Sequence, residues 1–344
     1  MASNAELTPR PLPLFIDMVR DVAKTDPVMA RNAMEGLRLY AAAARVERVP
    51  RPCLFQKGRV RLLTIGGSGP PVVIIPSLIN PAHILDLSPE RSFAAYLAEQ
   101  GYCPMIVDWG EPAKEHACET IADHITAYLL PIVEHLGEPV HLIGYCLGGT
   151  MAVALASMIP ALSLTLIATP WHFARYPTAT RDGLLALWDQ SAASVAGMGM
   201  LPMEILQTAF WGMDPLGTVA KFSRLAGLSL DDPKLVEFCA IEDWTNSGAP
   251  LTSGAAADLF ENFIMRDLPG TEKWMVGGNI ASPSALPMRS IHFTATNDRI
   301  APTACAPEQL ARHACPSGHV GMIAGSRAIA GCWEPVKQWL DAGH

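Results

Sequence analysis

The sequence predicts an α/β protein: a mostly parallel central sheet with helices on both faces, and a helical insertion late in the chain. Three observations carry that prediction. Short apolar runs of strand length alternate with helix-length stretches between residues 59 and 169. HLIGYCLGGT (141–150) sets a strand, a glycine-rich turn and a helix start in immediate succession. Strand character then stops over 170–286 and returns at SIHFTAT (290–296).

Composition sets bounds on this picture. A chain of 344 residues, 50% hydrophobic and 17% charged, can bury a large core and is not disordered. The net charge of −8, without any run of Lys or Arg, excludes the electrostatic footprint of a nucleic-acid binder. The eight cysteines include no C-x-x-C pair, so neither a metal site nor a redox motif is predicted, and no cofactor is expected. MASNAELTPRPLPLFIDMVRD shows no basic stretch followed by an apolar one, and the expectation is a cytoplasmic protein with reduced thiols. Residues 142–173 lack Asp, Glu, Lys and Arg over a length that would span a bilayer. Gly148, Gly149 and Pro160 interrupt them, so they read as a buried strand–helix–strand unit, and no membrane span is predicted.

Taken in order, residues 1–50 form an N-terminal helical segment, with apolar residues at helical spacing in LPLFIDMVRDVAKTD and VMARNAMEGLRLYAAAARVERV. RVRLLTI (59–65) is a strand, GGSGPP a turn and VVIIP (72–76) a central strand. Gly67-Ser68-Gly69 is no nucleophile turn, because no strand-to-helix context surrounds it. In SPERSFAAYLAEQG (88–101), Ser88 is the expected helix cap and Gly101 the stop. CPMIVDW (103–109) is a strand, CETIADHITAYLLPIVEHLG (118–137) a helix, and PVHLIG (139–144) and LSLTLIAT (162–169) are strands. The expected organisation is a core of residues 51–170 and 286–344, split by a helical cap over 171–285. That cap is rich in Met and Trp, and these side chains are expected to pack its interior.

The strand–turn–helix at 141–150 matches the nucleophile elbow of α/β-hydrolases, with Cys146 where a serine usually sits. Gly144, Gly148 and Gly149 supply the small neighbours such a turn needs. The following helix directs its positive N-terminal end at the thiol, which favours a thiolate. The Leu147 amide faces the oxyanion of a tetrahedral intermediate, and a second amide is expected from Leu78 or Ile79, after the central strand. In this fold the acid and then the histidine follow the nucleophile. Asp298, just past a strand in FTATNDRIAP, and His319, in PSGHVGMIAG, fill those positions. His292 is expected to pack within its strand, His313 to end a helix, and Asp86 to be structural.

VIIPSLINPAHILDLSPERSFAAYLAEQGYCPMIVDWGEP, LIGYCLGGT, TNDRIAP and SGHVGMIAGSRA together resemble the polyhydroxyalkanoate synthases, over roughly 50–170 and 286–344. The resemblance implies an α/β-hydrolase-fold acyltransferase that polymerises 3-hydroxyacyl-CoA through a Cys thioester. It also implies Cys146 as nucleophile, His319 as general base and Asp298 as its partner. The substrate expected on this basis is 3-hydroxyacyl-CoA, or a polyester or simple ester. The short chain is similar to the synthase class that works with a partner subunit, so a homodimer or a partner subunit is expected. The chain departs from the synthases at Arg299, where they carry His, and in the 21 residues from Asp298 to His319, which suggest a shortened strand. FCAIEDWTNSGAPL (238–251) looks more like synthase-like hydrolases. A Cys-dependent esterase, thioesterase or depolymerase is therefore one alternative, and a catalytically silent polyester-granule partner another.

Overall fold

A strand covered on both faces must be apolar throughout, and Pro71–Ile75 is buried at all five positions. It anchors an eight-stranded sheet in the computed structural model, which describes residues 11–45 and 48–343. Residues 1–10, Val46 and Glu47 of the expected N-terminal helical segment, and His344, lie outside the described residues. The strands are β1 (Cys53–Lys57), β2 (Val60–Thr64), β3 (Pro71–Ile75), β4 (Cys103–Asp108), β5 (Val140–Tyr145), β6 (Ala161–Ile167), β7 (Ser290–Ala295) and β8 (Ala311–Cys315). Their order across the sheet is β1-β2-β4-β3-β5-β6-β7-β8. β1 and β2 pair antiparallel, as do β2 and β4; every pairing from β4 to β8 is parallel. β3 pairs with both β4 and β5, so the carboxyl end of β5 opens near the middle of the sheet.

The chain divides into two compact units, residues 1–49 with 202–248, and residues 50–201 with 249–344. The division falls inside the 171–285 stretch expected to be one cap. Residues 202–248 cluster instead with the N-terminal helices Leu12–Ala23 and Pro27–Ala42, because Trp211 and Phe222 find their apolar partners there. Phe15 lies 4.7 Å from Phe222 and 6.0 Å from Trp211, centroid to centroid. Gly36 lets the second helix approach closely, since a Cβ there would overlap the Phe222 carbonyl. FCAIEDWTN serves this unit: Asp243 binds Arg45 and the Tyr40 hydroxyl, and buried Glu242 pairs with Lys221. In the sheet-bearing unit, Trp188 stacks on Phe260 at 5.0 Å.

Several local expectations change. Ser92, not Ser88, caps the helix Phe93–Glu99, its Oγ accepting from the Ala95 amide. Ser88 instead sits in a small hairpin that Asp86 holds, accepting from Arg51 (2.6 and 2.9 Å) and from the Ser92 hydroxyl (2.6 Å). Asp86 is thus engaged structurally. The 118–137 helix starts at Ile121 and carries a π turn at Ile125–Leu129. Pro131 lies two residues past its end; lacking an N–H, it cannot continue the regular ladder, and the hydrogen bonds there take a wider spacing. His313 lies in β8, not at a helix end, its ring 5.1 Å from Phe293. Between β7 and β8, residues 296–310 carry only the 3₁₀ turn Thr303–Cys305, where such crossovers commonly hold an α-helix. No helix among the described residues is long and apolar enough to cross a membrane, and 142–173 folds as β5, a helix and β6.

Candidate active site

Cys146 joins β5 to the wholly buried helix Leu147–Ala156 in a conformation that side chains seldom adopt, φ +55° and ψ −130°. Such a backbone costs of order 1–3 kcal/mol and persists only where its surroundings enforce it. Here they do. The Cys146 amide donates to the Ile167 carbonyl (2.9 Å), and the Gly149 amide donates back to the Cys146 carbonyl (2.9 Å). A Cβ on Gly148 would overlap the carbonyl oxygens of Ile75 and Pro76, and one on Gly149 the side chain of Thr169. The glycines let the helix start press against the ends of β3 and β6, which lifts Cys146 clear of the sheet.

Two loops bring the other groups. Asp298 follows β7, and its Oδ1 accepts from the amides of Ile300 and Ala301, both at 2.8 Å. Its Oδ2 lies 2.7 Å from His319 Nδ1, an ion pair whose side chains are 0% and 7% exposed. Cys146 is an electrostatic neighbour of the His319 ring. Burial alone would oppose an imidazolium, but the Asp298 carboxylate and Cys146 outweigh it and raise His319 to about 10. Arg299 is exposed, while the backbone amides that follow it hold Asp298.

The remaining expected residues fall near the same strand ends. The Ile79 amide donates to Ser77 Oγ at 3.1 Å, which commits it locally. Trp109 Nε1 donates to the Pro76 carbonyl at 3.2 Å and fixes the chain just before Ser77. Leu147 begins its helix, so its amide has no acceptor within the helix. Buried His292 accepts from the Thr169 amide (2.9 Å), and burial lowers it to about 3. Sequence reasoning missed Tyr145. Its buried hydroxyl donates to the His319 carbonyl (3.4 Å), and its ring lies 5.3 Å from the imidazole. A strand-end aromatic gives no sign in sequence of which loop it will support.

No protein-family model matches the chain. It is 27% identical, over 321 residues, to the poly(3-hydroxyalkanoate) polymerase subunit PhaC of Haloferax mediterranei, an alignment covering 86% of this chain and 64% of that subunit. It is 25% identical to the subunit of the same name from Allochromatium vinosum (79% of this chain, 80% of the other). For that of Synechocystis the identity is 24%, over 79% and 77%. Among solved structures, the Bacillus megaterium epoxide hydrolase superposes with a TM-score of 0.52 at 13% identity, covering 82% of this chain and 97% of that one. An N-acyl homoserine lactone degrading enzyme, Est816, gives 0.52 at 13%, over 85% and 99%. These structures establish the α/β-hydrolase fold alone. In sequence, the chain is similar to the polymerase subunits.

Proposed function

We propose that this polyhydroxyalkanoate polymerase-like protein is an acyltransferase that acts on 3-hydroxyacyl-CoA thioesters through a thioester on Cys146. The observation that carries the proposal is the Asp298–His319 ion pair and the strained Cys146 turn in a chain whose curated relatives are named as poly(3-hydroxyalkanoate) polymerase subunits. In the first half-reaction, with the proton of the pair resting on His319, Cys146 Sγ attacks the thioester carbonyl. The Leu147 and Leu78 amides receive the oxyanion. The carbon–sulfur bond to CoA then breaks, and CoA leaves with the proton from His319. In the second half, a 3-hydroxyl group yields its proton to His319 and attacks the Cys146 thioester. An ester forms, the Cys146 sulfur is released from the acyl group, and the proton stays on His319, which restores the resting pair. Asp298 holds the imidazole in position and stabilises its charge.

Cysteine suits this cycle. Transfer from CoA sulfur to Cys sulfur exchanges one thioester for another, so the acyl group stays reactive. An oxygen ester on serine would hold it more firmly. The test is incubation with 3-hydroxybutyryl-CoA while free CoA, free acid and polymer are followed together. Release of CoA with growing oligomer supports transfer. CoA released with one equivalent of free acid and no oligomer rejects transfer in favour of a Cys-dependent hydrolase. No CoA release at all favours a silent partner protein.

A further inference from the structure

We infer that Tyr176 is a positioning residue for the site: its hydroxyl clamps the turn that holds Asp298, and so sets the aim of His319 at Cys146. Tyr176 lies well past the end of β6, immediately before Pro177, which caps the helix Thr178–Met198. Its hydroxyl donates to the Ile300 carbonyl at 2.6 Å. The amide of that same residue, together with that of Ala301, donates to Asp298 Oδ1 at 2.8 Å. Asp298 Oδ2 then meets His319 Nδ1 at 2.7 Å. One phenol thus reaches the acid through a single residue, from a segment remote in sequence.

The geometry explains why a clamp matters here. The β7–β8 crossover that carries the Asp298 turn has one 3₁₀ turn and no α-helix to stiffen it. A carboxylate whose Oδ1 is held by two amides of one short turn moves with that turn. Tyr176 ties the turn to the start of a 21-residue helix. Although part of the ring reaches solvent, the hydroxyl end is enclosed: burial, with Cys305, Cys146 and Asp298 nearby, holds it protonated well above the ordinary phenol range. It therefore stays a donor at any pH of interest. The inference rests on the relay proposed above, and it extends that relay to a residue outside every motif singled out in the sequence.

The test is a double-mutant cycle with a spectroscopic arm. Tyr176→Phe keeps the ring and removes only the clamp. A hydrogen bond of ordinary net strength corresponds to a loss of about 3- to 10-fold. The first-turnover release of CoA from 3-hydroxybutyryl-CoA should slow by that factor with KM unchanged. In an Asp298→Asn background, the same substitution should have under about a 1.5-fold effect. Equal losses in both backgrounds, a rise in KM alone, or no loss in the wild-type background overturns the inference. The second arm needs no turnover: the downfield proton resonance of His319 Nδ1, read by NMR, should shift upfield or broaden in Tyr176→Phe. An unchanged resonance overturns the clamp. If wild type releases no CoA, the acyltransferase reading fails by itself, and the resonance still decides the role of Tyr176.

Discussion

Cys146 combines a strained backbone, a neighbouring imidazole and a helix start, and its variants test each part separately. Cys146→Ala should keep the fold and lose turnover by at least about 10³-fold, since the turn accepts a smaller side chain. Full activity with an unchanged melting curve would remove Cys146 as nucleophile. Cys146→Ser should also fall far below wild type, because a base aimed at a thiol activates the less acidic hydroxyl poorly. His319→Ala should cost as much as Cys146→Ala, and Asp298→Asn less, because the acid orients and does not react. If His313→Ala proved as damaging as His319→Ala, the assignment would move to β8. The raised pKa of His319 also has a consequence for stability. The native state holds this proton more tightly than the unfolded chain, whose histidine titrates near 6.5. Its contribution is complete below about 6.5 and is lost as pH rises towards about 10. The difference in urea midpoint between wild type and His319→Ala should therefore shrink from pH 6 to pH 10. A constant difference would show that His319 is not held as an imidazolium.

Within single elements, glycines decide what can approach what. A methyl on Gly148 meets two carbonyl oxygens that cannot yield without moving β3, and Gly148→Ala should destabilise by about 1–3 kcal/mol or more. Gly183, inside the helix Thr178–Met198, faces open space, and Gly183→Ala should stabilise by about 0.5–1 kcal/mol. Urea denaturation of the two variants reads both signs; a neutral Gly148→Ala would mean that the helix start is not pressed against β3. The hairpin at Ser88 carries the same lesson in side chains. Both Ser88 and Ser92 have the chemistry of a cap, and Asp86, fixed by Arg51, selects Ser92.

For the molecule as a whole, the two units imply separate stabilities. Phe222→Ala removes the ring between Phe15, Tyr40 and Phe238 and should cost about 3–5 kcal/mol in the helical unit. Amide hydrogen exchange should then quicken over 12–42 and 203–246 more than in β3 and β5. A uniform rise would show one cooperative unit. How much of this was legible in advance divides along a physical line. The parallel sheet was legible because strands covered on both faces are largely apolar, and VVIIP and the leucine- and isoleucine-rich LSLTLIAT have that character. The elbow was legible because its steric demands fall within a few consecutive residues, Gly144 to Gly149. That Asp298 and His319 would lie on neighbouring loops was legible because each follows shortly after a strand. Partners distant in sequence were not legible. That Trp211 and Phe222 would join the N-terminal helices depends on which apolar face meets which, and periodicity specifies a face without its partner. That His313 lies in a strand depends on hydrogen bonds to β7, and that Tyr176 meets Ile300 depends on a contact across 124 residues. By itself the sequence determined the period of the central strands and long helices, their ends within a few residues, and the local chemistry of the turn at Cys146. Only the tertiary structure decided the pairings, because those are set by which surfaces exclude water together, and that is a property of the folded chain and of no segment within it.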